Sequence, residues 1–180
     1  MTEFEAFKSI ARLNRKCVVT EKLDGTNAQV MVTDEGHVMA GSRNRWLTLE
    51  NDNFGFAGWV ERNKAELVKL GPGRHFGEWW GNGIQRRYGL AEKRFSLFNV
   101  EKWSDATVRP ECCHVVPVLA VGELLELDVK EIAETLRTGG SVAAPGFMNP
   151  EGIVIYHSAS NGLFKFTLDK NDAHKGSANV

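Results

Sequence analysis

The sequence predicts an α+β fold with mixed, largely antiparallel sheets flanked by helices. Three observations carry this. β-prone runs recur along the chain, glycine-centred turns join several of them as hairpins, and the few helical stripes are not spaced as repeated strand–helix–strand units. A chain of 180 residues suits one good core and is short for two, so a single domain over residues 1–180, with no separate C-terminal domain, is the expectation.

Taken in order, Phe4, Phe7 and Ala11 have the spacing of a short leading helix. Val18 to Glu21 reads as a strand. Ala28 to Thr33 and His37 to Ala40 are β-prone runs joined by Asp34-Glu35-Gly36, a hairpin turn. Phe56, Val60, Ala65, Leu67 and Val68 give a helical stripe ending near Leu70, where Gly71-Pro72-Gly73 stops it. His75 to Glu78 and Phe95 to Val100 read as strands. Asp128 opens a clearer helix, with Glu131 completing a capping box, Val129, Ile132, Ala133 and Leu136 on one face, and Gly139-Gly140 at its end. Gly152 to His157 is β-rich, and Asn161-Gly162 turns it back into Leu163 to Thr167.

Bulk properties exclude more than they identify. The net charge of −1 gives no sign of a nucleic-acid partner, so any such surface must be a local patch. No apolar run is long enough to span a membrane, and the acidic start lacks the apolar core of a secretory signal, so no membrane partner and a cytoplasmic address are the default. Three cysteines, Cys17, Cys112 and Cys113, are not a disulfide framework. Cys112-Cys113-His114 lacks companions at zinc-ligand spacing, which leaves buried free thiols as the expectation.

The most informative stretch is Thr20-Glu21-Lys22-Leu23-Asp24-Gly25-Thr26-Asn27. Strand alternation puts Val18, Thr20 and Lys22 on one side. A free lysine is protonated at neutral pH and is a poor nucleophile. Nearby carboxylates such as Glu21 and Asp24 hold it so, which means activation needs a cationic helper. The plain alternative is a surface lysine at a turn.

Lys22-Leu23-Asp24-Gly25 resembles the nucleotidyl-transfer motif of polynucleotide ligases and capping enzymes. With its flanks, it is similar to the ATP-dependent RNA ligases, in particular their RNA ligase 2-like branch. Further segments match in the family's order. Ser42-Arg43-Asn44 resembles the second motif, which implies that Arg43 binds a phosphate, although an exposed loop arginine would look the same. Phe76-Gly77-Glu78-Trp79-Trp80-Gly81 resembles the third, implying that Glu78 meets the ribose hydroxyls and helps hold a hydrated metal; its bland reading is a strand-end acid beside core tryptophans. Phe95-Ser96-Leu97-Phe98-Asn99-Val100 resembles the segment whose ring stacks on the purine. This role falls to Phe98, unless Phe98 is simply core. Asn99 stands where the family often has Asp. Glu151-Gly152-Ile153-Val154-Ile155 resembles the fourth, implying that Glu151 contacts the catalytic metal. Phe164-Lys165-Phe166-Thr167 resembles the fifth. Here the two phenylalanines alternate toward the core, and the resemblance implies that Lys165 touches the α-phosphate and supplies the cation Lys22 needs. Thr167 replaces a second lysine, for which Lys170 or Lys175 would compensate.

The resemblance runs from about Phe4 to about Lys175 and implies a nucleotidyltransferase domain of the polynucleotide ligase, ATP-grasp-like type. It implies ATP and Mg²⁺ or Mn²⁺ as cofactors, a lysyl-AMP intermediate on Lys22, and sealing of a 3′-hydroxyl to a 5′-phosphate at RNA ends or nicks. Glu21 would accept from the adenine amino group, Asn27 belongs to the nucleotide-binding set, and Asp24 would lie near the metal or strand end. Separately, Arg86, Arg87 and Tyr88 lie in a glycine-bearing loop, Gly81 to Leu90. They make it the best polynucleotide surface in the sequence, with a plain basic loop as the alternative. A minimal DNA ligase, another polynucleotide nucleotidyltransferase such as a capping enzyme, and a non-catalytic nucleotide- or RNA-end-binding module remain as other readings. A helper protein supplying a second domain is a further expected partner.

Overall fold

The computed structural model describes residues 3–169. Two sheets carry the chain. The first has β1 (Lys16–Lys22), β7 (Val118–Glu123), β8 (Gly152–His157) and β9 (Gly162–Thr167), in the order β7-β1-β8-β9. The second has β2 (Thr26–Val32), β3 (Val38–Ser42), β4 (Gly73–Gly81), β5 (Lys93–Leu97) and β6 (His114–Val115), in the order β3-β2-β4-β5-β6. Every pairing is antiparallel except β5 with β6. The expected α+β class with largely antiparallel sheets is what the structure has.

Only Leu23-Asp24-Gly25 separates β1 in the first sheet from β2 in the second. The crossing is tight enough to require glycine. A Cβ at Gly25 would lie 2.4 Å from the Trp79 carbonyl oxygen and 2.7 Å from the Trp80 Cβ.

Among the described residues, three apolar clusters support the sheets. Under the second sheet, Phe56, Trp79, Phe95 and Trp59 pack ring on ring, with Val30, Leu67 and Leu97 around them. These rest on α1 (Phe56–Arg62) and α2 (Lys64–Leu67). Under the first sheet, Cys17, Val19, Ile153 and Ile155 meet Ala133 and Leu136 of α4 (Val129–Gly139). Each large apolar side chain so buried contributes about 2 kcal/mol. A third, smaller cluster of Leu23, Trp80, Tyr88, Val116 and Ala144 fills the junction between the sheets.

The structure departs from the sequence expectations in several places. Residues 3–12 form no helix, and Phe4, Phe7 and Ile10 lie exposed, because nothing among the described residues covers the stripe that a helix would bury. The stripe through 56–70 is broken at Asn63, whose side chain donates 2.7 Å to the Trp59 carbonyl; a 3₁₀ turn, Val68–Leu70, ends it. The strand expected over 95–100 stops at Leu97, and Val100–Trp103 forms a helical turn, α3. Asn99 caps it by accepting from the Lys102 N–H at 3.1 Å. β9 is an edge strand, so Phe166 packs on the core while Phe164 stays exposed. The Asp128 helix holds as expected, its carboxylate accepting from the Glu131 N–H at 2.9 Å.

That cap gives a direct check. Asp128→Ala should cost about 1 kcal/mol and lower the melting temperature by roughly 2–4 °C, measured by thermal unfolding.

Candidate active site

The site forms where the crossing between the sheets meets the start of β8. Lys22 ends β1 and pairs in register with Gly152, so the residue before it, Glu151, is set beside the lysine. The Lys22 Nζ lies 2.5 Å from Glu151 Oε1, with the two side chains 23% and 16% exposed. Gly152 adopts φ 155°, and a Cβ there would stand 2.2 Å from the Phe166 carbonyl, so β9 closes tightly over this point.

Glu78 reaches the same place from β4. Its Oε1 accepts from the Gly25 N–H at 3.1 Å and its Oε2 from the Asn27 amide at 3.2 Å. The Asn27 carbonyl oxygen in turn accepts from Arg43 Nε at 2.9 Å and Nη2 at 2.5 Å. The expected residues Lys22, Glu151, Glu78, Asn27 and Arg43 therefore form one polar assembly drawn from β1, β2, β4, the residue before β8 and the residue after β3.

Burial dominates the electrostatics. It pushes the Glu78 carboxyl up to about 7, against Lys22 and the Gly25 hydrogen bond, while the Glu151 and Asp24 charges push the same way as burial. Glu151 is also raised by burial, opposed by Lys22. Its second oxygen, Oε2, is buried and has no hydrogen-bond partner. An unpartnered buried carboxylate oxygen beside a second, half-neutral carboxyl suits a hard cation. Among the described residues no group of three or more His, Cys, Asp or Glu side chains encloses a metal position. A cation held by Glu151 and Glu78 would therefore share its shell with water and substrate phosphate, which is the habit of Mg²⁺.

Asp24 is engaged by Arg86. The guanidinium donates from Nε to Asp24 Oδ2 at 2.8 Å and from Nη1 to the Asn149 carbonyl at 3.2 Å and side-chain oxygen at 3.1 Å; its Nη2 pairs with Asp169. One arginine thus ties together the turn after Lys22, the approach to Glu151 and the exit of β9. Tyr88 is 2% exposed, edge-on to Trp80 and against Phe147, and its hydroxyl oxygen accepts from the Asp24 N–H at 2.8 Å. This corrects the expectation of a polynucleotide surface here. Tyr88 presents no open ring face and Arg86 is spent on internal acceptors, leaving Arg87 exposed alone. Gln85, Arg87 and Tyr88 all have positive φ (42°, 61° and 52°), a strained path that turns the ring inward.

Glu21 needs a second correction. It shares the face of β1 with Cys17 and Val19, away from Lys22, and is 1% exposed. Its oxygens accept from the Ser141 hydroxyl at 2.6 Å and from the Val142 and Ala143 N–H groups at 2.9 Å each. The carboxylate anchors the 141–144 turn, and its buried oxygens already accept these three hydrogen bonds, where an open acceptor for an adenine amino group was expected.

Two expected residues stand near the assembly without bonding to it. Lys165 is exposed on β9 in the row Thr20–Val154–Lys165, on the same side of the first sheet as Lys22, but its side chain makes no hydrogen bond or ion pair among the described residues. Phe98 follows β5, 41% exposed, its N–H donating 2.9 Å to the Phe76 carbonyl. Lys170 and Lys175 lie outside the described residues. Sequence reasoning missed Ser141, Asn149 and Asp169, which carry no motif and act as acceptors or anchors only once the chain is folded. All three cysteines are free, with the Cys112 and Cys113 sulfurs 3.9 Å apart. Among the described residues no helix is long and apolar enough to cross a membrane.

This two-sheet fold is that of the nucleotidyltransferase unit of RNA ligases. The chain is similar to structures of Naegleria gruberi RNA ligase variants. One with ATP and manganese gives a TM-score of 0.62 at 24% identity, over 86% of this chain and 50% of that one. A second with ATP and manganese gives 0.64 at 24%, over 84% and 48%, and one with AMP and manganese 0.62 at 23%, over 87% and 51%. The chain thus spans about half the length of these relatives. The sequence profile of the RNA ligase family matches residues 15–167, and the chain belongs to that family. No curated protein matches it.

Two measurements probe the assembly. The Glu78 value of about 7 stands above the ordinary 4.5, so the protonated form stabilises the fold below about 4.5 and that contribution is lost as pH rises through 7. In chelator, wild type should therefore lose stability relative to Glu78→Gln between pH 5 and 8, by on the order of 3 kcal/mol at most, read from urea unfolding. Parallel pH curves would contradict this. Arg86→Lys, which keeps the charge and loses the fork, should destabilise by roughly 1–3 kcal/mol in the same assay.

Proposed function

We propose that this protein is an ATP-dependent RNA ligase whose nucleophile is Lys22. The observation that carries the reading is the Lys22–Glu151 contact of 2.5 Å, with one Glu151 oxygen left buried and unpartnered. In the first step the Lys22 amine attacks the α-phosphorus of ATP. A P–N bond forms, the bond from the α-phosphorus to the bridging oxygen breaks, and pyrophosphate leaves. The amine must first shed its proton; Glu151 Oε1 is in contact to receive it, once the positive charge of Lys165 and a cation disfavours the charged amine. The AMP then passes to an RNA 5′-phosphate, and a 3′-hydroxyl displaces AMP to seal the strand.

Each residue has a task that its geometry suits. Arg43, whose fork is oriented by Asn27, meets phosphate oxygens. Lys165, exposed on the Lys22 side of the first sheet, supplies a second positive charge to the α-phosphate. Phe98 offers an exposed ring for the purine. Glu78 and Glu151 would hold a divalent cation, which neutralises charge on the transferring phosphoryl group. ATP, AMP and manganese accompany the similar Naegleria gruberi ligase structures, which supports the nucleotide and metal assigned here.

With α-labelled ATP and Mg²⁺ the protein should acquire label. Lys22→Ala should abolish it, and chelator should prevent it in wild type. Label surviving in Lys22→Ala would overturn the nucleophile. Lys165→Ala should slow labelling by at least tenfold while leaving Lys22 the labelled site.

A further inference from the structure

We propose that the face of the second sheet next to the Asn27–Glu78 row binds a single-stranded RNA segment flanking the reacting end, with Trp46 and Phe76 as stacking rings and Arg74 as the phosphate cation. This deepens the RNA ligase reading and rests on it.

Register defines the face. Alternation along β2 buries Ala28, Val30 and Val32 in the core and turns Asn27, Gln29 and Met31 the other way. Asn27 is opposite Glu78 and bonded to Arg43. Two residues along, about 7 Å at strand rise, Gln29 lies between Gly41 and Phe76, and the Phe98 N–H bonds the Phe76 carbonyl, extending that row. Trp46 bridges to Gly41, where a Cβ would meet its ring at 3.1 Å and Gln29 at 2.7 Å, so the indole occupies the space over Gly41. One row further, Met31 lies between Met39 and Arg74. Arg74 donates 3.1 Å to Gln29 Oε1, and its guanidinium carbon sits 5.2 Å from the Trp46 ring centre.

The chemistry of this face matches a nucleic-acid strand. Trp46 is 41% exposed and Phe76 52%, rings that a fold gains nothing by leaving in water. Bases stack on such rings irrespective of sequence, and arginine both neutralises phosphate and stacks. The exposed charges on these rows, Arg43 and Arg74, are positive; the acid, Glu78, is buried and bonded to Gly25 and Asn27. The face is continuous with the assembly around Lys22, so a strand lying on it delivers its end to the reacting groups.

Anisotropy with a fluorescent single-stranded RNA 12-mer tests this. Trp46→Ala should weaken binding about tenfold, and Arg74→Ala should lower the slope of log affinity against log salt by about one. Wild-type protein cross-linked to 4-thiouridine RNA should carry RNA on peptides containing Trp46 or Phe76, a readout that depends on no variant. Wild-type RNA affinity in both variants, or cross-links confined elsewhere, would overturn the proposal. Lysine labelling by ATP needs no RNA. A labelled wild type with this face inert leaves the ligase reading standing, whereas an unlabelled wild type removes that reading by itself.

Discussion

Three residues, Leu23-Asp24-Gly25, carry the chain from one sheet into the other, and most of the site follows from how short that passage is. So brief a link presses Gly25 against the backbone of β4 and brings Glu78, on β4, to the Gly25 N–H. It also ends β1 at Lys22, opposite Gly152, which leaves Glu151 no position but beside the amine. The glycine of the motif is thus explained by contact distance: any Cβ would push the two sheets apart at the point where their carboxylates converge. Arg86 braces the same passage from outside, joining its Asp24 to Asn149 and Asp169.

Convergence has an electrostatic cost. Glu78, Glu151 and Asp24 act on one another with Lys22 and Arg86 as the cations among them. Burial raises both glutamates, which disfavours their charged forms where they meet. A divalent cation would satisfy the orphaned Glu151 oxygen, favour the ionised form of the carboxyls and loosen the hold of Glu151 on Lys22. Carboxylates gathered around a lysine before any ligand arrives are pre-arranged to hold charge on a transferring group.

Much of this was legible in the sequence. The strands around Lys22, the hairpins at Gly36 and Asn161-Gly162, and the Asp128 cap all follow from local patterns that tertiary packing left intact. The ordered motifs located Lys22, Arg43, Glu78 and Glu151, and the fold gathers them. What the structure turned otherwise were expectations drawn from resemblance or local spacing alone. Glu21 sits one residue from the nucleophile, yet strand alternation turns it to the opposite face, where the 141–144 turn claims it. β7 was missed because Pro117 stands just before it and Gly122 interrupts its apolar run. Residues 3–12 have helical spacing but find no surface to bury against.

The loop of Arg86 and Tyr88 and the platform of Trp46 and Arg74 make the instructive contrast. Both combine arginine with an aromatic ring, and composition favours the loop, where the two are neighbours. Backbone geometry reverses the choice. Positive φ at Gln85, Arg87 and Tyr88 folds the loop into the junction core, and its donors meet internal acceptors. Trp46 and Arg74 lie far apart in sequence, yet the pairing of β2 with β3 and β4 sets them on one open face. A nucleic-acid surface is defined by the donors and ring faces that folding leaves exposed. Sheet register decides which those are, and register is a long-range property that no local window contains.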